Sequence, residues 1–213
     1  MSDAQRRSYD TLRSAWCIPF PPDPPGMVPE PADIFGNGNP LTVEIGFGMG
    51  IATAIIAEGN PGKNYLGFEV YRPGIGSLLR EIEKRNLRNI RIVEYDAVAG
   101  MELLLPDRSV DAFHIFFPDP WPKKRHHKRR LVTRPFTGTL ARKLKSGAYL
   151  YMVTDWEDYA FWALRELSAT GGLRNPYDGF APPRDWRPET KFERKGLAQS
   201  YRVRELYFEA HHG

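Results

Sequence analysis

The sequence predicts an α/β protein built on a mostly parallel sheet with helices on both faces. Three observations predict it. From Leu41 onward, short runs rich in β-branched and aromatic residues alternate with amphipathic helical stretches. A glycine-rich turn joins the first of those strands to the first of those helices. Acidic residues then recur at the ends of successive strands, where an open parallel sheet collects its ligands.

Taken in order, residues 1–40 read as an N-terminal arm, free to be flexible. Gln5 to Trp16 suits a short basic helix. Seven of the thirteen residues from Pro19 to Pro31 are proline, which favours extended, polyproline-like backbone. The arm is expected to lie on the domain or on its binding partner. The folded domain spans 41–213. Leu41–Ile45 is the first strand, Gly46–Gly50 the turn, and Ile51–Glu58 a helix closed by Gly59-Asn60-Pro61. Asn64–Val70 is the second strand. Ile75, Leu78, Leu79 and Ile82 then form one apolar helical stripe. Ile90–Glu94 is the third strand, and a short helix carries Val98, Met101 and Leu105. Val110–Phe117 is the fourth strand, stopped by Pro118. Phe136, Leu140 and Leu144 place a helix over about Arg134 to Lys145, and Gly147–Thr154 is the fifth strand. A helix follows on Trp156, Tyr159, Ala160, Ala163, Leu164 and Leu167, closed by Gly171-Gly172. A loop over Pro182–Lys195 and a last strand over Tyr201–Ala210 complete the chain.

Composition narrows the function classes. The length of 213 residues fits one domain with a sizeable core. Net charge is only +4, so the basic cluster Lys123–Arg130 is a local concentration and points to a directed binding surface. A single cysteine, Cys17, excludes an internal disulfide and fits a reducing compartment. No apolar run approaches the roughly 20 residues that cross a bilayer. Met1–Asp10 lacks the apolar core of a signal peptide. A cytoplasmic protein with no membrane partner is expected.

The chemistry concentrates in Phe116–Arg130, FFPDPWPKKRHHKRR. Two prolines hold Asp119 in a stiff turn at a strand end, beside Trp121 and six lysine and arginine residues with no intervening acid. A rigid carboxylate, an aromatic plate and a positive patch together point to chemistry on a nucleic acid. The stretch closely resembles the signature of the bacterial tRNA (guanine-N7)-methyltransferase family, which uses S-adenosylmethionine. A second match is Thr190-Lys191-Phe192-Glu193, preceded by Arg187-Pro188-Glu189. Beyond it, Leu197-Ala198-Gln199 stands where the family usually has Leu-Gly-His. The resemblance covers roughly Leu41 to Ala210. It implies a Rossmann-like class I methyltransferase fold with a mostly parallel seven-stranded sheet.

The glycine turn agrees. In Glu44-Ile45-Gly46-Phe47-Gly48-Met49-Gly50 the glycines alternate, whereas a dinucleotide site would want its last glycine at position 51, which is Ile51. The alternating form looks like the first motif of class I methyltransferases. An acid just before the turn can meet the cationic methionine end of S-adenosylmethionine. Glu69 can accept from both ribose hydroxyls, and Asp96 from the adenine amino group. In the resembled family Glu44, Glu69, Asp96 and Asp119 match the four acidic cofactor positions, with Gly46, Gly48 and Gly50 in the turn. The resemblance implies Asp119 as the catalytic residue and Lys123, Asp155, Thr190, Lys191, Phe192 and Glu193 as substrate-binding. It implies tRNA as the partner, methylated in the variable loop, and leaves monomer and homodimer open.

Guanine N7 carries no proton, so Asp119 is expected to act by orientation and electrostatics rather than as a base. Two other readings stand beside this one. Phe117-Pro118-Asp119-Pro120 echoes the [DN]-P-P-[YFW] turn of enzymes that methylate exocyclic amines, with Asp119 in place of the second proline. The other is a noncatalytic RNA-binding protein on the same fold. No metal site is expected, because His126 and His127 are adjacent and point apart with no cysteine or acid cluster to complete one. These two are read as solvated or phosphate-facing, His114 as a hydrogen-bonded core residue, and Trp121 as stacking on guanine or packing the turn. Cys17 has no visible nucleophilic partner.

Overall fold

The computed structural model describes residues 1–20, 28–189, 193 and 202–212. Strands β1 (Leu41–Ile45), β2 (Asn64–Phe68), β3 (Ile90–Val93), β4 (Val110–Phe116), β5 (Leu144–Thr154), β6 (Leu173–Arg174) and β7 (Arg204–Ala210) form one sheet. Their order is β3-β2-β1-β4-β5-β7-β6. β1 to β5 pair in parallel, and β7 runs antiparallel between β5 and β6. The chain winds outward from β1 to β3, then crosses to the other side of β1 as β4. The reversal of direction therefore falls between β1 and β4, which opens a crevice at their carboxyl ends. Register brings those ends level: Ile45 lies opposite Phe68, Phe68 opposite Val93, and Phe116 opposite Val153.

One face of the sheet is covered by α1 (Asp3–Trp16), α3 (Ile51–Glu58) and α4 (Arg72–Arg85), which meet Tyr65, Ile90 and Ile92. The other is covered by α5 (Ala97–Leu104), α6 (Arg134–Lys143) and α7 (Glu157–Ser168), which close over Val43, Leu66, Phe113, Leu150 and Phe208. These side chains are fully buried on both faces, as a central parallel sheet requires. A short helix α2 (Pro31–Phe35), not anticipated from the sequence, delivers Phe35 to the second core.

Several boundaries move for identifiable reasons. α1 starts two residues before the predicted Gln5, because Ser2 and Gln5 form a reciprocal capping box. β2 stops at Phe68, not Val70, since the Glu69 carboxylate accepts from the amides of Val70 (2.8 Å) and Tyr71 (3.0 Å). β4 stops at Phe116, because Phe117 turns to a φ of 49°. β5 begins at Leu144, three residues before the predicted Gly147. Its register against β4 shifts between Val110 and Ala112, and Gly147, at a φ of 79°, lies in the displaced stretch. β6 was not anticipated, and Tyr201 lies outside the described residues.

The residues before Pro19 pack on the domain. A Cβ on Gly76 of α4 would lie 2.4 Å from the Gln5 carbonyl oxygen, so α1 seats directly on α4. Cys17 bridges to Ile92, and the Ile18 amide donates to the Ile92 carbonyl at 2.8 Å. Burial pushes the Cys17 thiol up to about 11, so it stays protonated at neutral pH. Among the described residues, no helix is long and apolar enough to cross a membrane.

Candidate active site

The glycine turn follows β1 directly. Gly46, Gly48 and Gly50 all adopt left-handed backbone, with φ of 71°, 56° and 69°, a conformation that other residues enter only with strain. Between them Phe47 swings back and buries its ring against Gly67. α4 closes in from the side: a Cβ on Gly74 would sit 2.0 Å from the Gly48 carbonyl oxygen. Glu69 then fixes the turn from the end of β2, accepting from the Gly48 amide at 2.8 Å. Both oxygens of Glu69 thus serve backbone amides.

Glu44, just before the turn, is 3% exposed, and burial pushes its carboxyl up to about 7, with the neighbouring Glu69 adding to the effect. Among the described residues no lysine or arginine pairs with it. A buried acid without a cation is costly when ionised, and a positively charged ligand in the crevice would supply the missing partner. Asp96 follows β3 as the N-cap of α5, its Oδ1 accepting from Ala99 at 3.1 Å. It is exposed, and among the described residues its other oxygen meets no donor. Glu44, Glu69, Asp96 and the three glycines are therefore brought to one edge of the sheet.

Across the switch from the glycine turn lies Asp119, exposed and held between two non-glycine residues of positive φ, Phe117 at 49° and Trp121 at 45°. Such backbone is costly and persists only where its surroundings enforce it. Lys124–Arg129 then forms a 3-10 helix, with exposed Lys123 as its N-cap residue. Asp155 follows β5 and is half-buried. Thr190, Lys191 and Phe192 lie outside the described residues, as do Leu197-Ala198-Gln199. Glu193 is 6% exposed and gives both carboxylate oxygens to Arg187, at 2.6 and 2.7 Å.

The basic run divides in two. Lys123, Lys124, Arg125, Lys128 and Arg129 are exposed, and Arg129 lies over the Trp121 ring at 4.9 Å. Arg130, read as part of the same phosphate-facing surface, is only 2% exposed. Its Nε donates to the Pro120 carbonyl at 2.9 Å, its guanidinium lies over Tyr159 and Trp162 at 5.2 and 5.0 Å, and it pairs with Asp158. Arg130 ties the Asp119 turn to α7. His126 and His127 are half-buried, edge-on to Trp121 and Trp162, and so are not freely solvated. His114 meets the Tyr149 hydroxyl at 3.1 Å, and burial lowers it to about 3, so it is a neutral core residue.

Three features escaped the sequence reading. Glu94, past the end of β3, accepts from the Tyr9 hydroxyl (2.6 Å), Arg13 (2.9 Å) and Arg72 (2.8 Å), joining α1 to the start of α4. Gly74 is the residue that lets α4 reach the glycine turn. The third is the buried pairing of Arg187, named in the sequence only as part of the motif before Thr190, with Glu193 and Glu205. Two glycines inside one amphipathic helix, Gly74 and Gly76, were a legible sign of close backbone approach. Nothing local marks Glu94. Among the described residues, no group of three or more histidine, cysteine or acidic side chains is placed to hold a metal.

Residues 38–206 match the Methyltransf_4 methyltransferase family. The tRNA (guanine-N(7)-)-methyltransferase of Nitrosospira multiformis is 45% identical over 213 residues, spanning all of this chain and 91% of that protein. The enzyme of the same name from Treponema pallidum is 46% identical, over 98% of this chain and 91% of its own. Among solved structures, the 16S rRNA methyltransferase KamB shares 15% identity with a TM-score of 0.62, covering 86% of this chain and 95% of its own. At that identity the likeness speaks to the fold, and it is the fold described above.

Proposed function

The chain belongs to the tRNA (guanine-N(7)-)-methyltransferase family, and from that membership we propose how its residues methylate N7 of a guanosine in tRNA. The observation that carries the reading is the pairing, across the β1–β4 switch, of a cation-seeking acid and glycine cradle with a rigid exposed carboxylate backed by a basic helix.

The residues present suit S-adenosylmethionine. Glu44 is the buried acid without a cation, positioned to meet the methionine end, and the left-handed glycines bring backbone rather than side chains to the ligand. Glu69 orders the turn through its backbone amides and would accept from the ribose hydroxyls, and Asp96 would offer its second oxygen to the adenine amino group. Bound there, S-adenosylmethionine supplies a methyl group activated on a sulfonium.

Guanine N7 is an in-plane lone pair, so the acceptor needs no general base. It needs placement, and its purine gains a positive charge as the methyl arrives. Asp119 offsets that charge from a backbone fixed on both flanks, with no reorganisation during the transfer. Lys123 and Asp155 flank the same strand ends and position the nucleotide. The exposed cations from Lys124 to Arg129 hold the RNA backbone. Thr190, Lys191, Phe192 and Glu193 are assigned to the guanosine from the family motif they match.

Incubating the protein with methyl-labelled S-adenosylmethionine and bulk tRNA, then mapping the labelled nucleoside, tests the reading. The expected product is 7-methylguanosine in the variable loop. Label on an exocyclic amine, or none, rejects it.

A further inference from the structure

The Asp119 turn is held in backbone that its own residues resist. Phe117 and Trp121 both take positive φ, at 49° and 45°, with Asp119 midway between them. Pro118 and Pro120 fix φ only at their own positions, so the shape has to be enforced from outside the turn. On the Phe117 flank β5 does so, its Val153 carbonyl accepting from the Phe117 amide at 2.8 Å. On the Trp121 flank the Nε of Arg130 donates to the Pro120 carbonyl at 2.9 Å. That carbonyl belongs to the peptide joining Pro120 to Trp121, so the bond fixes the plane on which Trp121 turns.

Arg130 is itself placed by α7. Its guanidinium lies over Tyr159 and Trp162 and pairs with Asp158. The same two rings grip the chain two residues further on. The Val132 amide donates to the Tyr159 hydroxyl at 3.2 Å, and Trp162 Nε1 donates to the Val132 carbonyl at 2.7 Å. One guanidinium thus sets the exit of the Asp119 turn against a helix that starts two residues after Asp155. The burial is costly: Nη1 meets no acceptor among the described residues, and an unpaired buried donor destabilises. An arginine kept to hold phosphate would gain nothing from that cost. Buried against a phenol and an indole, it does not reach RNA, as exposed Lys124, Lys128 and Arg129 can.

We propose that Arg130 is a positioning residue for methyl transfer: it holds the Asp119 turn in its strained backbone and takes no part in gripping tRNA. This rests on the reading that Asp119 faces the guanosine.

Full-length Arg130→Gln, Arg130→Lys, Asp119→Asn and the double variant Asp119→Asn/Arg130→Lys test this. Glutamine removes the charge, and lysine keeps it without the planar fork. Each is measured by single-turnover methylation, S-adenosylmethionine calorimetry, tRNA binding at several salt concentrations and thermal melting. Both Arg130 variants are expected to slow single turnover about tenfold or more, with cofactor and tRNA affinities within about twofold of wild type. The salt slope of Arg130→Gln should stay parallel to wild type, whereas a lost phosphate contact flattens it by about 0.7–0.9. Added to Asp119→Asn, the lysine change should cost less than about twofold more, because it acts through that carboxylate. A wild-type rate in either Arg130 variant overturns the proposal. So do a flattened slope in Arg130→Gln, a lysine loss that multiplies in full with that of Asp119→Asn, or cofactor affinity that falls in step with the rate. Failure of both Arg130 variants to fold overturns it too, since the residue then serves the core alone. Asp119→Asn with the wild-type rate rejects the reading of Asp119 instead.

Discussion

Glu44 ties a single side chain to the pH response of the protein. Its ordinary value is 4.5, and in the folded state burial raises it to about 7. The ligand-free fold therefore keeps a proton that the unfolded chain releases. The stability due to Glu44 is fully present below about 4.5 and is lost as pH rises through about 7. Binding a cation works the other way, because it favours the ionised form. S-adenosylmethionine affinity should rise up to about tenfold per pH unit below 7 and flatten above it. Glu44→Gln should remove that slope, and calorimetric titrations across neutral pH decide; a slope unchanged in the variant refutes the assignment. For Asp119→Asn, single-turnover methylation should slow about 100-fold, with cofactor and tRNA affinity nearly unchanged. Near-normal single-turnover rates would remove Asp119 from the chemistry. Both acids were legible from the sequence because proline or glycine marks their turns. Arg130 was not, because within KKRHHKRR every cation reads alike and only Asp158, Tyr159 and Trp162, drawn in from α7, single it out.

Among the elements, α4 decides whether the glycine turn holds its shape. Gly74→Ala would drive a methyl into the Gly48 carbonyl, separated by only 2.0 Å from the added Cβ. The expected result is a loss of S-adenosylmethionine affinity of about tenfold or more, beyond the small gain in helix propensity. Gly76→Ala, two positions on, meets the Gln5 carbonyl at 2.4 Å instead. It should lower the melting temperature by loosening α1 while leaving cofactor affinity alone. If calorimetry and melting show the same pattern for both, the two helix-packing points are not separate. The five parallel strands and their helices were readable because short apolar runs alternate with turn residues, and α4 carries a clear apolar stripe. Their ends were not: the capping box that starts α1, the Glu69 carboxylate that ends β2 and the irregular register at Gly147 each override local propensity through specific interactions. β6, two residues long, carries too little pattern to be seen at all.

Across the whole molecule, a net charge of only +4 hides a division of charge. Acids gather at the cofactor side of the switch, and exposed cations on the 3-10 helix beyond it. Replacing Lys124, Lys128 and Arg129 together by alanine should weaken tRNA binding and flatten its dependence on salt, by up to about 0.7–0.9 in slope for each phosphate no longer neutralised. S-adenosylmethionine affinity should not follow. Binding measured at several salt concentrations, with parallel slopes for variant and wild type, would place the RNA surface elsewhere. The antiparallel insertion of β7 has a further consequence, in the order of assembly. β1, β2 and β3 are consecutive neighbours that can pair as soon as each is synthesised, whereas Tyr151 must wait for Tyr207. Long-range pairings of this kind form late. Because β7 brings Glu205 to Arg187, the half that carries Glu44, Glu69 and Asp96 can take shape on the ribosome while the contact between Glu205 and Arg187 is still unmade.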